Sequence, residues 1–226
     1  MSDFVLIHGT TQSPRGWDRL VRALDALGHR GVLVDLAGDD DRSATQYARD
    51  IAHQIAGDVT SPVVVAHSGA GLLLPAAARQ LGAQRQVWLA AYVPDGRHSL
   101  REDVGPDPTA VFNRDWLGQD PTGDPVLATH FLFHDCDLET LRWALTTLRL
   151  FNPGRVPLEP VALCPDIPST YIAADGDRTL RPNWCREAAA GRLGAEVIRI
   201  DSGHCPHVSK PIELAAVFDR IARGHP

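Results

Sequence analysis

The chain is 226 residues long with a formal net charge of −6, 44% hydrophobic and 22% charged side chains, which is typical of one α/β domain with a sizeable buried core. Its net negative charge without basic runs argues against nucleic-acid binding, which rewards side chains that neutralise phosphates. No stretch approaches the roughly 20 apolar residues of a membrane span and no signal sequence is recognisable, so we expect a cytoplasmic protein with no membrane partner.

The first part of the chain alternates apolar strands with amphipathic helices. A strand is predicted at residues 4–7, and helical apolar spacing follows from Trp17 until Gly28 stops it. Further strands are predicted at 31–34, 62–66 and 86–92, and helices at 44–56 and 69–81. Because strands that alternate with helices imply a parallel sheet, we expect one here. Pro75 lies inside the last of these helices, where we expect a kink rather than a break.

The alternation is interrupted between about residues 94 and 165, a segment with many prolines, aspartates and aromatic residues. Apolar spacing within it predicts a helix at 138–150 and a shorter one at 110–117. Beyond it the alternation returns, with predicted strands at 169–174 and 196–200 and predicted helices at 182–193 and 211–222. We interpret the chain as a single α/β domain over residues 1–226, with a mostly parallel sheet flanked by helices and a helical lid insertion.

A serine follows the valine-rich strand at residues 62–66. Ala66-His67-Ser68-Gly69-Ala70 is a variant of the G-x-S-x-G nucleophile elbow, with alanine in place of both outer glycines. The elbow holds its serine in a strained backbone conformation, so the residues two before and two after it must be small. A serine near a helix start is often only a cap. Here a strand precedes it and an alanine-rich helix follows, so we predict that Ser68 is a nucleophile.

A serine hydroxyl needs a histidine to accept its proton and an acid to fix that histidine's tautomer. After such an elbow the acid and then the histidine follow in the chain, in loops at the carboxyl ends of later strands. We favour His204 over His207 as the base because it lies nearer the end of its strand. Asp175 and Asp177 could each face the histidine, and we prefer Asp177, the other residue then serving a turn or an ion pair.

Two backbone N–H groups should stabilise the oxyanion of a tetrahedral intermediate. One should belong to Gly69, directly after the nucleophile. The other should belong to Thr10, in the loop after the first strand, where Gly9 lets the backbone approach closely; a plain turn is the alternative for this loop. This chemistry needs no metal and no organic cofactor, and the four singly spaced cysteines suggest neither a zinc site nor a disulfide framework.

Together these residues resemble the small α/β hydrolases that include plant methylesterases and hydroxynitrile lyases. The resemblance spans most of the chain and rests on Phe4-Val5-Leu6-Ile7-His8-Gly9, Trp17, Ala66-His67-Ser68-Gly69-Ala70-Gly71, Asp177, Gly203-His204 and Pro211. It implies the α/β-hydrolase fold and a serine hydrolase. The lyases carry threonine where Gly9 stands and lysine where Cys205 stands, which argues against cyanohydrin cleavage.

Residues 131–137 are similar to a stretch seen in bacterial members of that group. Two polar residues within it, His134 and Asp135, could line a pocket, or they could cap and pack the helix that follows.

We therefore predict an enzyme that cleaves an ester or related acyl bond of a small molecule through a Ser-His-Asp triad and an acyl-enzyme. Cofactor-free lyase or cyclase chemistry on the same fold, and a low-turnover small-molecule receptor, are the alternatives. Four aromatic residues of the lid are candidate substrate-binding residues: Trp116, Phe131, Phe133 and Trp143. They would suit an apolar or aromatic substrate if they face the pocket; otherwise they form the lid's own core.

Overall fold

A six-stranded, entirely parallel sheet is the frame of the protein in a computed structural model, which describes residues 1–36, 41–57, 59–105 and 107–224. The strands are β1 (Asp3–Ile7), β2 (Arg30–Val34), β3 (Val63–His67), β4 (Arg85–Leu89), β5 (Ser169–Ala174) and β6 (Glu196–Ile200). They lie in the order β2-β1-β3-β4-β5-β6. The chain therefore reverses its direction of winding between β1 and β3, and the loops after these neighbouring strands form the crevice where open α/β sheets bind ligands.

Burial follows the position of each strand in the sheet. All five residues of β3 are buried, as expected for a central strand that is covered on both faces and reads as a continuous apolar run. The edge strands β2 and β6 each bury only their last residue fully. The nucleophile elbow thus follows a strand in the middle of the sheet.

Ten helices accompany these strands in the described part of the chain. They are α1 (Asp18–Ala26), α2 (Ala44–Gln54), α3 (Leu74–Gln80), α4 (Leu100–Val104), α5 (Pro108–Val111), α6 (Pro125–Phe131), α7 (Leu138–Leu145), α8 (Pro182–Leu193), α9 (Pro206–Ser209) and α10 (Pro211–Ala222). Helices α2, α3 and α8 contribute to one apolar core, and α1 and α10 to another. The sheet is thereby covered on both faces, which the parallel arrangement requires. No helix of the described residues is long and apolar enough to cross a membrane.

Between β4 and β5 the chain forms the lid, made of α4 to α7 and two 3₁₀ turns at Arg114–Trp116 and Val156–Leu158. The helix predicted at 110–117 is instead α5 followed by the first 3₁₀ turn. The helix predicted at 138–150 ends earlier, at Leu145, because the chain beyond it bridges back to the loop after β1, Leu148 pairing with Gln12.

The helix predicted at 69–81 is divided rather than kinked, which corrects the expectation for Pro75. A 3₁₀ helix at Ser68–Leu72 is followed by α3, and Pro75 lies in the first turn of α3. At that position the missing N–H of proline costs no helical hydrogen bond. The proline therefore favours a new helix start instead of bending an existing helix.

Candidate active site

The turn after β3 carries Ser68 in a left-handed backbone conformation, with φ of 56°. A non-glycine residue in this region is strained, and such strain is typical of a nucleophile elbow. Ala66 and Ala70 on either side are buried, so both small residues lie in tightly packed positions. Gly9, after β1, passes so close that a Cβ there would lie 3.0 Å from the Ser68 Cβ and 2.8 Å from His67 Nδ1.

His204 lies against Ser68. Its Nε2 is 2.9 Å from the Ser68 Oγ, and its Nδ1 is 2.7 Å from Oδ2 of Asp177. The imidazole is buried, with 1% of its residue surface exposed. With Nδ1–H donating to the carboxylate, Nε2 carries the lone pair that accepts the Ser68 hydroxyl proton. Three side chains from loops after β3, β5 and β6 are thus joined by two hydrogen bonds.

Asp177 is held by its own loop. Its Oδ1 accepts the N–H groups of Thr179 at 2.7 Å and Leu180 at 3.1 Å, together with the Thr179 hydroxyl at 3.0 Å. The Thr179 Oγ1 also lies 2.8 Å from His204 Nδ1. One carboxylate oxygen is therefore fixed by backbone and hydroxyl donors, and the other is left to orient the imidazole.

The alternative residues for these positions lie elsewhere. Asp175 pairs with arginines: Nε of Arg199 lies 3.0 Å from its Oδ1, and Nη1 of Arg186 lies 3.5 Å from the same oxygen. His207 Nε2 is 3.0 Å from Oε1 of Gln12, and its ring packs on Trp17. Burial lowers the pKa of His207 to about 3.

His67 and His8 flank the elbow as further buried imidazoles. His67 Nε2–H donates to the carbonyl oxygen of His204 at 2.9 Å. Burial lowers the pKa of His67 well below its usual value, and the neighbouring imidazoles of His207 and His204 act in the same direction. Burial also lowers the pKa of His8 to about 4. These rings are therefore neutral at pH 7 and act as packing and hydrogen-bonding groups around Ser68.

A cavity of about 180 Å³ opens over Ser68. Its walls are formed by Thr10, Gly69, Leu72, Tyr92, Leu100, Phe112, Trp116, Pro153, Pro157, Thr179 and Leu180. No side chain with a formal charge is among them. Thr10 and Gly69 meet at its floor beside Ser68, where a Cβ on Gly69 would lie 2.9 Å from Cγ2 of Thr10. The two residues predicted to supply oxyanion donors thus border the same space as Ser68.

Of the four aromatic residues proposed to bind substrate, the structure brings only Trp116 to this cavity. Phe131 and Phe133 are buried in the lid's own apolar cluster, and Trp143 packs against that cluster. The guanidinium of Arg19 lies over the Trp143 ring, 4.8 Å from its centre. Phe131, Phe133 and Trp143 therefore take the alternative role that the sequence left open, since they fill the interior of the lid and do not line this cavity.

His134 and Asp135 do not line the cavity either. Asp135 Oδ2 accepts the backbone N–H of Gly203 at 2.7 Å, and α7 is capped by Asp137 instead. Pocket lining and helix capping therefore do not describe these two residues, whereas packing, the other role expected for them, does.

Several residues of the site escaped the sequence analysis. Thr179 had a local signal, because Asp177-x-Thr179 is a spacing at which an aspartate accepts hydrogen bonds from its own turn. The apolar wall residues, among them Tyr92 and Phe112, had none, since they converge from distant parts of the chain.

In the described residues no group of three or more His, Cys, Asp or Glu side chains could hold a metal ion, and all four cysteines are free thiols.

Comparison with known proteins agrees with this fold. The sequence profile of the alpha/beta hydrolase family matches residues 4–217. Methylesterase 1 of Arabidopsis thaliana is 25% identical over a gapped alignment of 252 positions, which covers 97% of this chain and 95% of that protein. Methyl jasmonate esterase 1 of Vitis vinifera is 24% identical over a gapped alignment of 257 positions, which covers 98% of this chain and 97% of that protein. The crystal structure of polyneuridine aldehyde esterase superposes with a TM-score of 0.81 at 19% identity, covering 98% of this chain and 99% of that chain.

Proposed function

The chain belongs to the alpha/beta hydrolase family, and on that basis we propose that it is a serine hydrolase that cleaves an ester of a small, uncharged molecule. The observation that carries the proposal is the hydrogen-bonded series from Ser68 Oγ through His204 to Asp177, with heavy-atom distances of 2.9 and 2.7 Å. Such a series is what a hydroxyl requires to become a nucleophile near neutral pH.

In the proposed reaction Ser68 Oγ attacks the ester carbonyl carbon while His204 Nε2 accepts the hydroxyl proton. Asp177 stabilises the imidazolium that forms. The backbone N–H groups of Thr10 and Gly69 donate to the oxyanion of the tetrahedral intermediate. The intermediate collapses as His204 returns the proton to the leaving alcohol, and an acyl group remains on Ser68. Water then attacks the acyl-enzyme with His204 again as base, which releases the acid and restores the serine.

The cavity limits the class of ester. A volume of about 180 Å³ is below the range of roughly 300–1,000 Å³ usual for drug-sized ligands, so the group beside Ser68 should be small. Its walls are mostly apolar and carry no formal charge, so a neutral group fits better than a carboxylate or an ammonium. The names of the related methylesterases and of methyl jasmonate esterase are consistent with a small ester.

A panel of p-nitrophenyl esters and lactones tests this function directly. We expect turnover of short apolar esters, and Ser68→Ala should lower kcat by about 10⁴-fold or more, because the nucleophile is lost. Thr146→Ala removes an exposed hydroxyl that donates to the carbonyl of Trp143, outside the site, and should retain wild-type kcat. Undiminished turnover by folded Ser68→Ala protein would refute the assignment.

Solvent oxygen separates hydrolysis from the alternative chemistries. In ¹⁸O-labelled water, acyl transfer to water places one labelled oxygen in the acid product, because water attacks the acyl-enzyme. Conversion without incorporation would favour lyase or cyclase action by the same residues.

A further inference from the structure

The loop that presents His204 is held largely by the lid. Gly203, directly before the imidazole, gives its backbone N–H to Asp135 Oδ2 at 2.7 Å. Cys205, directly after it, is fully buried in the lid's apolar cluster, as is Val208 one turn on. The lid members of that cluster are Ala128, Phe131, Leu132, Phe133 and Ala144. Both neighbours of His204 in the chain therefore contact the segment inserted between β4 and β5.

The contact between the lid and the loop that carries His204 requires glycine at position 203, because no room is left there for a side chain. A Cβ on Gly203 would lie 2.7 Å from Asp135 Oδ1 and 2.8 Å from Cε1 of His134, both too close for real atoms. The His134 imidazole also lies beside the loop that carries Asp177, since a Cβ on Gly176 would lie 3.7 Å from His134 Nε2. Gly176 in turn donates its N–H to the carbonyl of Ser202 at 2.9 Å. The His134-Asp135 pair thus packs where the two loops of the site meet.

The carboxylate of Asp135 makes few other interactions. Its second oxygen, Oδ1, is buried and has no hydrogen-bond partner in the described residues. Burying a carboxylate oxygen without a partner is unfavourable, so the Gly203 N–H is the interaction that compensates for placing an acid there. A neutral apolar residue would fill the same space at lower cost but would leave the N–H without its acceptor.

From this arrangement, and resting on the proposed serine-hydrolase function, we propose that Asp135 is a positioning residue for His204. By accepting the Gly203 N–H it fixes the base loop to the lid, so that the imidazole stays within hydrogen-bond distance of Ser68. Misplacement of a catalytic group by about 1 Å costs up to about 100-fold in rate. The lid would then be part of the catalytic geometry as well as a cover for the cavity.

Three variants test the proposal. Asp135→Ala removes the acceptor and should lower kcat on a short p-nitrophenyl ester by about 10- to 100-fold, with KM nearly unchanged because the cavity walls are untouched. Asp135→Asn keeps an amide oxygen that can accept the Gly203 N–H, and should restore most of kcat. The matched control is Asp137→Ala, which removes another carboxylate of the same segment, one whose Oδ1 accepts the Thr140 N–H at 2.7 Å. It should lower the melting temperature and leave kcat intact.

Amide hydrogen exchange provides a readout that needs no turnover. Asp135→Ala should speed the exchange of residues 203–209 relative to the wild type, whereas Asp137→Ala should speed exchange within α7 only. The proposal is overturned if exchange at 203–209 is unchanged in Asp135→Ala, or if that variant keeps wild-type kcat. It is also overturned if Asp135→Asn loses as much kcat as Asp135→Ala. Wild-type turnover that depends on Ser68, combined with any of these results, would leave the proposed function standing without the positioning role.

Discussion

Asp177 and Asp175 are separated by one glycine, yet their side chains make different interactions. Asp177 is 9% exposed and divides its two oxygens between its own turn and the His204 ring. Asp175 is half-buried and neutralised by Arg199 and, at 3.5 Å, by Arg186. Our proposal that Asp177 is the acid thus rests on which carboxylate reaches the imidazole, and loop conformation decides that.

This difference predicts a large contrast between two conservative variants. Asp177→Asn should lower kcat by about 10⁴-fold, because an amide in place of the carboxylate favours the wrong histidine tautomer. Asp175→Asn should stay within about threefold of wild type, because it only weakens an exposed ion pair. Steady-state kinetics of both proteins on the same ester measure the contrast. Equal losses would mean that the acid is not assigned correctly.

The three side chains of the proposed triad could be selected from the sequence before their hydrogen bonds were seen, and the reason is local. Each stands in a short loop after a recognisable strand, and the strained turn at Ser68 demands small neighbours that the sequence shows as Ala66 and Ala70. The substrate-facing aromatics were not predictable in the same way. Phe131 and Trp116 are both aromatic residues of the predicted lid, and only three-dimensional packing decides which fills the lid and which meets the cavity.

At the level of elements, the segment after the elbow is pressed against the end of β4. A Cβ on Gly71 would lie 2.1 Å from the carbonyl oxygen of Tyr92, a backbone atom that cannot easily move. The Tyr92 N–H also donates to the Ser68 carbonyl at 3.1 Å. The 3₁₀ helix that begins at Ser68 therefore packs on the chain that follows β4.

For this reason two glycine-to-alanine variants should change the free energy of unfolding in opposite directions. Gly71→Ala should lower the free energy of unfolding by about 3 kcal/mol, as overpacking does at a rigid contact. Gly191→Ala, in α8 with no atom within 4 Å of the added Cβ, should raise it by about 0.5–1 kcal/mol, because alanine favours the helix. Urea denaturation of both proteins checks the signs. A Gly71→Ala protein as stable as the wild type would contradict the packing described for the elbow.

Four elements after the lid match their predictions to the residue: β5, β6, α8 and α10 have the predicted bounds. Short elements set by tertiary contacts did not. The helix α9 between His204 and the last helix was missed, and β4 ends at Leu89 rather than at residue 92. The strand stops there because Ala90 adopts a φ of 43°, which no residue pattern signals.

Across the whole molecule, a group of buried neutral histidines surrounds the site. Burial lowers the pKa of His207 to about 3 and that of His8 to about 4, whereas an unfolded histidine titrates near 6.5. Below about pH 6.5 these histidines bind protons in the unfolded chain but stay neutral in the folded chain. Their stabilising contribution is therefore complete above that pH and is lost progressively as the pH falls towards 4 and 3.

We accordingly expect the free energy of unfolding to be lower at pH 5 than at pH 7, by about 2 kcal/mol for each such histidine. His207→Gln cannot titrate and should reduce the difference by about that amount, whereas His53→Gln, at an exposed position, should leave it unchanged. Urea denaturation at the two pH values measures it. Equal wild-type stability at pH 5 and pH 7 would contradict the neutral, buried state of these rings.

The parallel order with its reversal between β1 and β3 brings the predicted oxyanion loop, the elbow and the acid and base loops to one edge of the sheet.

The central claim is that Ser68 carries the acyl group during turnover. The most direct test is acid-quenched mass spectrometry of the protein mixed with p-nitrophenyl acetate, followed by peptide mapping. We predict one acetyl group, on the peptide and side chain of Ser68, and none on Ser68→Ala. Ester turnover with the acetyl group on another residue, or with equal acetylation of Ser68→Ala, would contradict the account.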